Sequence, residues 1–538
     1  MASKVVRSAV HSRPDGGALV ADWGRHDVSF ESDGSLQHAY EAGVAQLVDA
    51  VVQHGRQPAI LHEAGAYPGC WVESTASIGA ETLARFLPAV AAETVRRVIG
   101  HPRSDGLLPY KVTAGPDGAT VPAYRQIQMV TPFARSIATV AALTRDRTLL
   151  AESYPVLARH DAWLARHRDT RGTGGVEAFA TYDTGHDRSP RFWHVPDVPY
   201  LEDPARFDSA NPRLPFVAPD LTANVACQRQ ELAAMAQSLG ADPAPWLDKA
   251  AASRAALVDQ CWHEGDGTFY DRDATGEYVA VQSDVLLRVL ACGVGDDAAF
   301  DAAARRYLLD TRKFFAQFPF TCVALDDPRF DPRIEHNSWA GPTNALAVLR
   351  APAAFEAHGR FVELGWALWP TLAALSRDPR FAQTWHPWTG EQGFTSGYSP
   401  AVLTLLDFVE RVCGVLPRRD GDVWVTGLVA PMVQHDVVAT RTSYGRTVAG
   451  VRYDLHVSHE GCVLLADGAE LAAFPAGLRV VLRDGEVAEV IGMSARPVTG
   501  SLALRGRSVT LEAAGNERWS VAGRDPVLMA RRGVIPPR

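Results

Sequence analysis

Lysine is nearly missing from this chain of 538 residues: four are present against 62 acidic residues, and the arginines that carry the rest of the positive charge never gather into a basic run. A phosphate backbone needs clustered cations to displace its counterions, and a net charge of −9 spread along the chain offers none, which excludes nucleic acid as a partner. Cysteine is sparse too. The seven are scattered, odd in number and never in a C-x-x-C pair, so neither a disulfide framework nor a zinc knuckle is indicated, and a reducing compartment is the simpler reading. No run of about 18 apolar residues occurs, and the opening MASKVVRSAVHSRPDGG has no apolar core of signal-peptide length. A soluble, cytoplasmic protein without membrane contact is expected. His186, His336 and His386 stand singly, without an H-x-x-x-H pair, and Walker loops and strand-linked G-x-G-x-x-G turns are absent. No metal site and no cofactor is expected; the run RDTRGTGG lacks the alternating acidic oxygens of a calcium loop.

What is present is an ordinary globular composition, 47% apolar and 21% charged, in a chain too long for one small core. From about residue 35 to 413 the apolar period is helical, with glycine or proline between ten to twelve segments. In APDLTANVACQRQELAAMAQSLGADP, Leu221, Val225, Leu232, Met235 and Leu239 share one stripe, with Asp220 placed to cap the start and Gly240 the end. The connecting segments are long and rich in aromatic, Gly and Asp residues, as in GAYPGCWVES, YDTGHDRSPRFWH and TWHPWTGEQGFTSGY, whereas plain helix connections are short. A ring of helix pairs would gather them at one end into a sugar-sized pocket; no repeat of 30 to 45 residues supports a solenoid instead. After GVLPRRDGD the period becomes two, through Val451, Tyr453, Leu455 and Val457, and LRVVLRDGEVAEVIG predicts a hairpin turning at Asp484-Gly485.

Glycoside hydrolysis needs one carboxylic acid to protonate the leaving oxygen and a second carboxylate to activate water or attack the sugar. The loops supply Glu73, Asp187, Glu335 and Glu391. Read alone, each is as compatible with a loop cap or a surface ion pair. Trp71, Trp193, Trp339, Trp385, Trp388 and Tyr398 suit sugar stacking, and equally a core.

Taken together, YPVLARHDAWLARHRDTRGTGGVEAFATYDTGHDRSPRF, FPFTCVALDDPRFDPRIEHNSWAGPTNAL and TWHPWTGEQGFTSGYSPAVL resemble, in order and spacing, glycoside hydrolase family 63 and its bacterial relatives. These include mannosylglycerate and glucosylglycerate hydrolases and, more remotely, the trehalases of family 37. The resemblance covers roughly residues 60 to 410 and is strongest in HDRSPR and NSWAGPT. It implies a mainly α protein, an (α/α)6 toroid, that hydrolyses α-glycosidic bonds with inversion and uses the Asp of D-x-S-P-R, here Asp187, as general acid. An acid keeps its proton near neutrality through burial or a neighbouring negative charge, so Arg191 is expected to turn away from it, toward substrate or a loop carboxylate. The second carboxylate departs from the pattern. Relatives carry Glu four residues before the proline of P-x-T-G, and that position is Gln383, whose carboxamide cannot deprotonate water. Glu391 is the first substitute, followed by Glu335 and Glu73.

The resulting expectation is an extension over 1–34, a catalytic toroid over 35–417 and a β-sandwich over 418–538. Asp187, Glu391 and Glu335 are its catalytic candidates, and Trp71, Glu73, Gln126, Arg191, Asn337, Trp339, Gln383 and Tyr398 its substrate contacts. The partner is one small carbohydrate, with a homo-oligomer left open. Two alternatives stand beside it: a sugar-binding protein that lost hydrolysis, and a glycosidase of unusual substrate with a relocated base.

Overall fold

The computed structural model describes residues 28–336, 338–430 and 438–538. Its helices are α1 (Ser35–Ala50), α2 (Ala80–Leu83, entered through a π-helical turn Ser74–Gly79), α3 (Pro88–Ile99), α4 (Phe133–Thr144), α5 (Arg147–His167) and α6 (Pro219–Ser238), followed by α7 (Ala244–Cys261), α8 (Val285–Ala291), α9 (Asp297–Ala303), α10 (Ala345–Ala357), α11 (Phe361–Arg377) and α12 (Ser399–Cys413). The even-numbered helices each pack against the next, and α12 returns to the turn before α2, closing a ring. The odd-numbered helices other than α9 lean on its outside: α1 against α12, α3 against α4, α5 and α7 against α6, α11 against α10. The later inner helices α8, α10 and α12 are buried on nearly all sides and read as largely apolar runs; in α12 every residue from Ser399 to Glu410 is buried.

This order explains the two kinds of connection seen in the sequence. Passages from an inner helix to the next outer one are short turns such as 84–87, 145–146 and 358–360, while those from an outer helix inward run through 51–73, 100–132, 168–218, 262–284 and 378–398. The long, aromatic connections therefore collect where the inner helices begin. In α6 the stripe from Leu221 to Met235 is buried and Gly240 takes the left-handed backbone beyond the helix end (φ 78°). The expectation that Asp220 caps that helix is corrected: Ala218 holds the cap position and Asp220, inside the first turn, is bound to Arg191.

The remainder is antiparallel β. The strands are β1 (Ser29–Ser32), β2 (Val415–Pro417), β3 (Val423–Gly427), β4 (Thr442–Val448), β5 (Val451–Ser458), β6 (Gly461–Ala466), β7 (Ala469–Phe474), β8 (Leu478–Arg483), β9 (Glu486–Gly492), β10 (Val498–Leu504), β11 (Arg507–Ala513), β12 (Arg518–Ser520) and β13 (Val527–Ala530). One sheet runs β1-β4-β5-β6-β7-β10-β11 and the other β2-β3-β8-β9-β12-β13. Tyr453, Leu455 and Val457 point into the core while the residues between them are more exposed. Asp484 (φ 52°) and Gly485 (φ 80°) make the expected two-residue turn between β8 and β9. The N-terminal part is more than an extension, because Ser29–Ser32 pairs with Thr442–Gly445 as the edge strand of the first sheet. Its Phe30 is buried against Tyr40 of α1, with ring centroids 4.7 Å apart.

Candidate active site

At the end where the long connections meet lies a cleft of about 260 Å³, lined by Glu63, Tyr67, Trp71, Glu73, Tyr110, Arg125, Gln126, Gln128, Tyr182, Gly185, Asp187, Val198 and Gln383. That is toward the small end of small-molecule sites. Each connection contributes a part. The stretch 59–73 brings two carboxyls and an aromatic wall in which Trp71 meets Tyr110 and Tyr67 at centroid distances of 5.5 and 6.4 Å. Lys111 sits over the Trp71 ring at 4.5 Å, a cation–π contact.

Asp187 reaches the cleft on a segment fixed at both ends. Upstream, Asp183 takes a two-pronged ion pair from buried Arg168 (2.6 and 3.1 Å) and accepts from the Ile127 and Phe179 N–H groups. Downstream, the Trp339 N–H donates to the Asp187 carbonyl (2.9 Å). Beneath lies a buried polar cluster. Arg191 binds Asp271 (2.7 Å) and Asp220 (2.9 Å) and donates to His186 Nδ1 (2.7 Å). His186 Nε2 then donates to Asp284 (2.9 Å), which also holds Arg288 (3.0 Å). With Nδ1 occupied as acceptor, His186 is neutral with its proton on Nε2; burial, joined by the Arg288 charge, holds its pKa down at about 4. Arg191 thus faces away from Asp187 and into this cluster.

Three carboxyls share the cleft. Burial pushes Asp187 up to about 8, the negative charge of Glu73 adds to it, and Arg188 opposes more weakly. Glu63 is likewise pushed up to about 8 by burial and by Glu73, against a hydrogen bond from the Tyr398 hydroxyl to Oε1 (2.6 Å). Burial also raises Glu73, but Arg288 and Arg350 pull the other way, Arg350 standing 3.9 Å from Oε1, and Gln128 donates to Oε2 at 3.1 Å. Gly185, with φ 68°, packs directly on this carboxylate: a Cβ there would lie 2.5 Å from Oε2. Gln383 lines the same cleft, and its buried Oε1 has no hydrogen-bond partner.

Several expectations change. Glu391 does not face the cleft: Trp385 bridges Gln392, and strand-like alternation turns Gln392 inward, where its Oε1 accepts from the Ala382 N–H, and Glu391 out to solvent. Glu335 is exposed as well, on the tip of a loop closed by the Asp331 N–H on the Ala340 carbonyl (3.0 Å). Arg191 and Trp339 are fully buried beneath the site and touch no cleft surface; Trp339 packs on the His186 ring and under Arg288. Tyr398 is buried behind Glu63, and Asn337 lies outside the described residues. Trp71, Glu73, Gln126, Gln383 and Asp187 do line the cleft, joined by Glu63, Tyr67, Tyr110, Arg125, Gln128, Tyr182 and Val198, which motif reading missed. Among the described residues no group of His, Cys, Asp and Glu could hold a metal ion, and no helix is long and apolar enough to cross a membrane.

A family model described as the mannosylglycerate hydrolase MGH1-like glycoside hydrolase domain matches residues 67–400. Among solved structures, the family 63 mannosylglycerate hydrolase of Thermus thermophilus in complex with Tris is 18% identical, covers 68% of this chain and 99% of its own, and superposes with a TM-score of 0.58. A sialidase is 12% identical over 90% of this chain and 44% of its own, with a TM-score of 0.65. A family 78 rhamnosidase of Bacillus sp. GL1 is 11% identical over 80% of this chain and 40% of its own, with a TM-score of 0.53. At these identities the likeness is one of fold. No curated protein matches the chain.

Proposed function

The chain belongs to the mannosylglycerate hydrolase MGH1-like glycoside hydrolase family and is a glycosyl hydrolase, and from that premise we propose that it cleaves a small α-glycoside, a glucoside, a mannoside or a close relative, by an inverting acid–base mechanism. The helical unit 35–417 is read as an (α/α)6 toroid carrying the site, and 418–538 as a β-sandwich that supports it. The reading rests on one observation: a half-buried aspartate of the D-x-S-P-R motif shares an aromatic-lined cleft with two further carboxyls.

Asp187 is the proton donor. Burial, with the negative charge of Glu73 adding to it, keeps it protonated near neutral pH, and the Tyr67–Trp71–Tyr110 wall takes the apolar face of the sugar. The family 63 relative acts on mannosylglycerate; Arg125, at the rim of this cleft and 3.1 Å from Glu202, is the cation that an acidic aglycone such as glycerate would meet. A second reading, a sugar-binding protein without turnover, is favoured by Gln383 at the position where relatives carry Glu.

A panel of α-glucosides, α-mannosides, their glycerate conjugates and trehalose, followed by proton NMR of the first-formed anomer, decides between them. Hydrolysis releasing the β-anomer, lost in Asp187→Asn by roughly 10²- to 10⁴-fold in kcat, supports the enzyme. Sugar binding without turnover, unchanged in Asp187→Asn, supports the binder, and first release of the α-anomer from a substrate other than trehalose, whose inverting hydrolysis gives one of each anomer, contradicts inversion.

A further inference from the structure

We propose that Glu63 is the general base of this site, acting on a water molecule that Gln383 also holds. The proposal rests on the glycosidase reading and deepens it, since the base position expected from relatives is a carboxamide and the substitutes Glu391 and Glu335 are on the surface.

Two carboxyls other than Asp187 line the cleft, and their surroundings separate them. Glu73 is more confined: Gln128 occupies Oε2, Oε1 is buried without a hydrogen bond and stands 3.9 Å from Arg350, and Gly185 lies against the carboxylate on the Oε2 side. Its part is to raise the pKa of Asp187 beside it. Glu63 is built to be positioned. Its N–H donates to the Gly69 carbonyl (2.8 Å), its carbonyl accepts from the Ser399 N–H at the head of α12 (2.9 Å), and its Oε1 is held by the Tyr398 hydroxyl at 2.6 Å. Main chain and side chain are thus located by two separate elements, the preorganisation that proton transfer from a bound water requires. The charged groups facing it are Glu73, Asp187 and Lys111, with the Tyr398 and Ser74 hydroxyls lowering its pKa as hydrogen-bond donors.

Gln383 complements this arrangement. Its main chain is tied to the Ala345 N–H (2.8 Å) and the Thr395 hydroxyl (2.7 Å), and its partnerless Oε1 is an acceptor for one hydrogen of a water. A glutamate there would add a fourth carboxylate to a cleft that already holds three, and like charges at such range oppose each other's ionisation. In the step itself, the water oxygen bonds to the anomeric carbon as one of its hydrogens passes to ionised Glu63, the form whose share grows as pH approaches the raised pKa of about 8. The bond from that carbon to the leaving oxygen breaks, and the leaving oxygen takes the Asp187 proton. One proton enters Glu63 and one leaves Asp187, and exchange with solvent resets both.

The test uses the full chain with α-D-glucosyl and α-D-mannosyl fluoride, whose leaving group needs little protonation. Glu63→Gln is expected to lose at least 10²-fold in kcat with KM and Tm near the wild-type values. Glu63→Ala is expected to regain turnover with azide and to release the β-glycosyl azide, the product of azide taking the place of the activated water. Tyr398→Phe, which keeps the carboxylate, is expected to lower kcat less and to shift the acid limb of its pH profile. Wild-type-like kcat in Glu63→Gln, or β-azide formed by Glu73→Ala and not by Glu63→Ala, overturns the assignment, as does an active Gln383→Glu/Glu63→Gln double variant. If neither fluoride is turned over, calorimetry with 1-deoxynojirimycin and 1-deoxymannojirimycin decides: binding at least tenfold weaker in Glu63→Gln is expected, and equal binding overturns the proposal. A wild type that neither binds these nor hydrolyses any α-glycoside overturns the glycosidase reading itself, and the assignment with it.

Discussion

Asp187 holds a proton where an exposed aspartate would not, because burial and Glu73 both penalise its ionised form. The same shift has a cost in stability with a defined sign. A carboxyl whose pKa rises from 3.8 unfolded to about 8 folded binds more protons in the native state across that window, so its contribution is present below pH 4 and is lost as pH rises through 8. Asp187→Asn is therefore expected to raise Tm over the wild type at pH 8.5 and to leave it unchanged at pH 4, measured by thermal unfolding in matched buffers. Glu73→Gln removes the neighbouring charge, and its pH–rate profile should lose the basic limb at lower pH than the wild type. Asp187 was legible in the sequence because a motif marks it. Glu63 was not. It follows the two-residue strand Ile60–Leu61 in a segment without a motif, and its importance comes from Tyr398 and Ser399, more than 330 positions away in the chain.

At the scale of elements, the loop that carries Asp187 stands on a cluster of paired charges rather than on an apolar floor. Arg191, Asp220, Asp271, Asp284, Arg288 and His186 are buried and joined by hydrogen bonds. Removing one member strands its partner, which in buried pairs costs about 3–5 kcal/mol. Asp271→Ala should lose stability on that order in urea denaturation, and its kcat should fall although Asp271 touches no cleft surface. The period of the helices and the length of the connections told where the loops would gather. Side-chain destinations inside them were not readable, since capping rules and loop composition are local while these partners are not. Asp220 satisfies the rule for a helix cap and is used by Arg191 from the preceding connection. Glu391 sits in an aromatic, Gly-rich loop and is turned outward by the pairing of Trp385 with Gln392.

Across the whole molecule, the helical ring and the sheets are one packed body. Glu410 on α12 accepts from Tyr444 (2.8 Å) and pairs with Arg446 (2.5 Å), both on β4, and with Arg85 (2.6 Å) just beyond α2. Phe30 ties β1 to α1 from the other direction. Phe30→Ala, which empties a fully buried aromatic position, should cost about 3–5 kcal/mol and lower Tm for the loss of helical and sheet signal together; a change confined to one signal would mean that the two parts unfold separately. The run of helices and the change of period near residue 414 were visible in periodicity. The return of Ser29–Ser32 to the C-terminal sheet was not, since strand pairing over some 400 residues leaves no local mark.

The most direct test of the central claim, that this cleft cleaves glycosidic bonds with Asp187 as proton donor, is the ratio of kcat/KM between Asp187→Asn and the wild type on two substrates of one sugar, an alkyl α-glycoside and the α-glycosyl fluoride. The account predicts a loss of roughly 10²- to 10⁴-fold on the alkyl glycoside and a far smaller one on the fluoride, whose departure needs little acid. Equal losses on both substrates, or none on either, would contradict it.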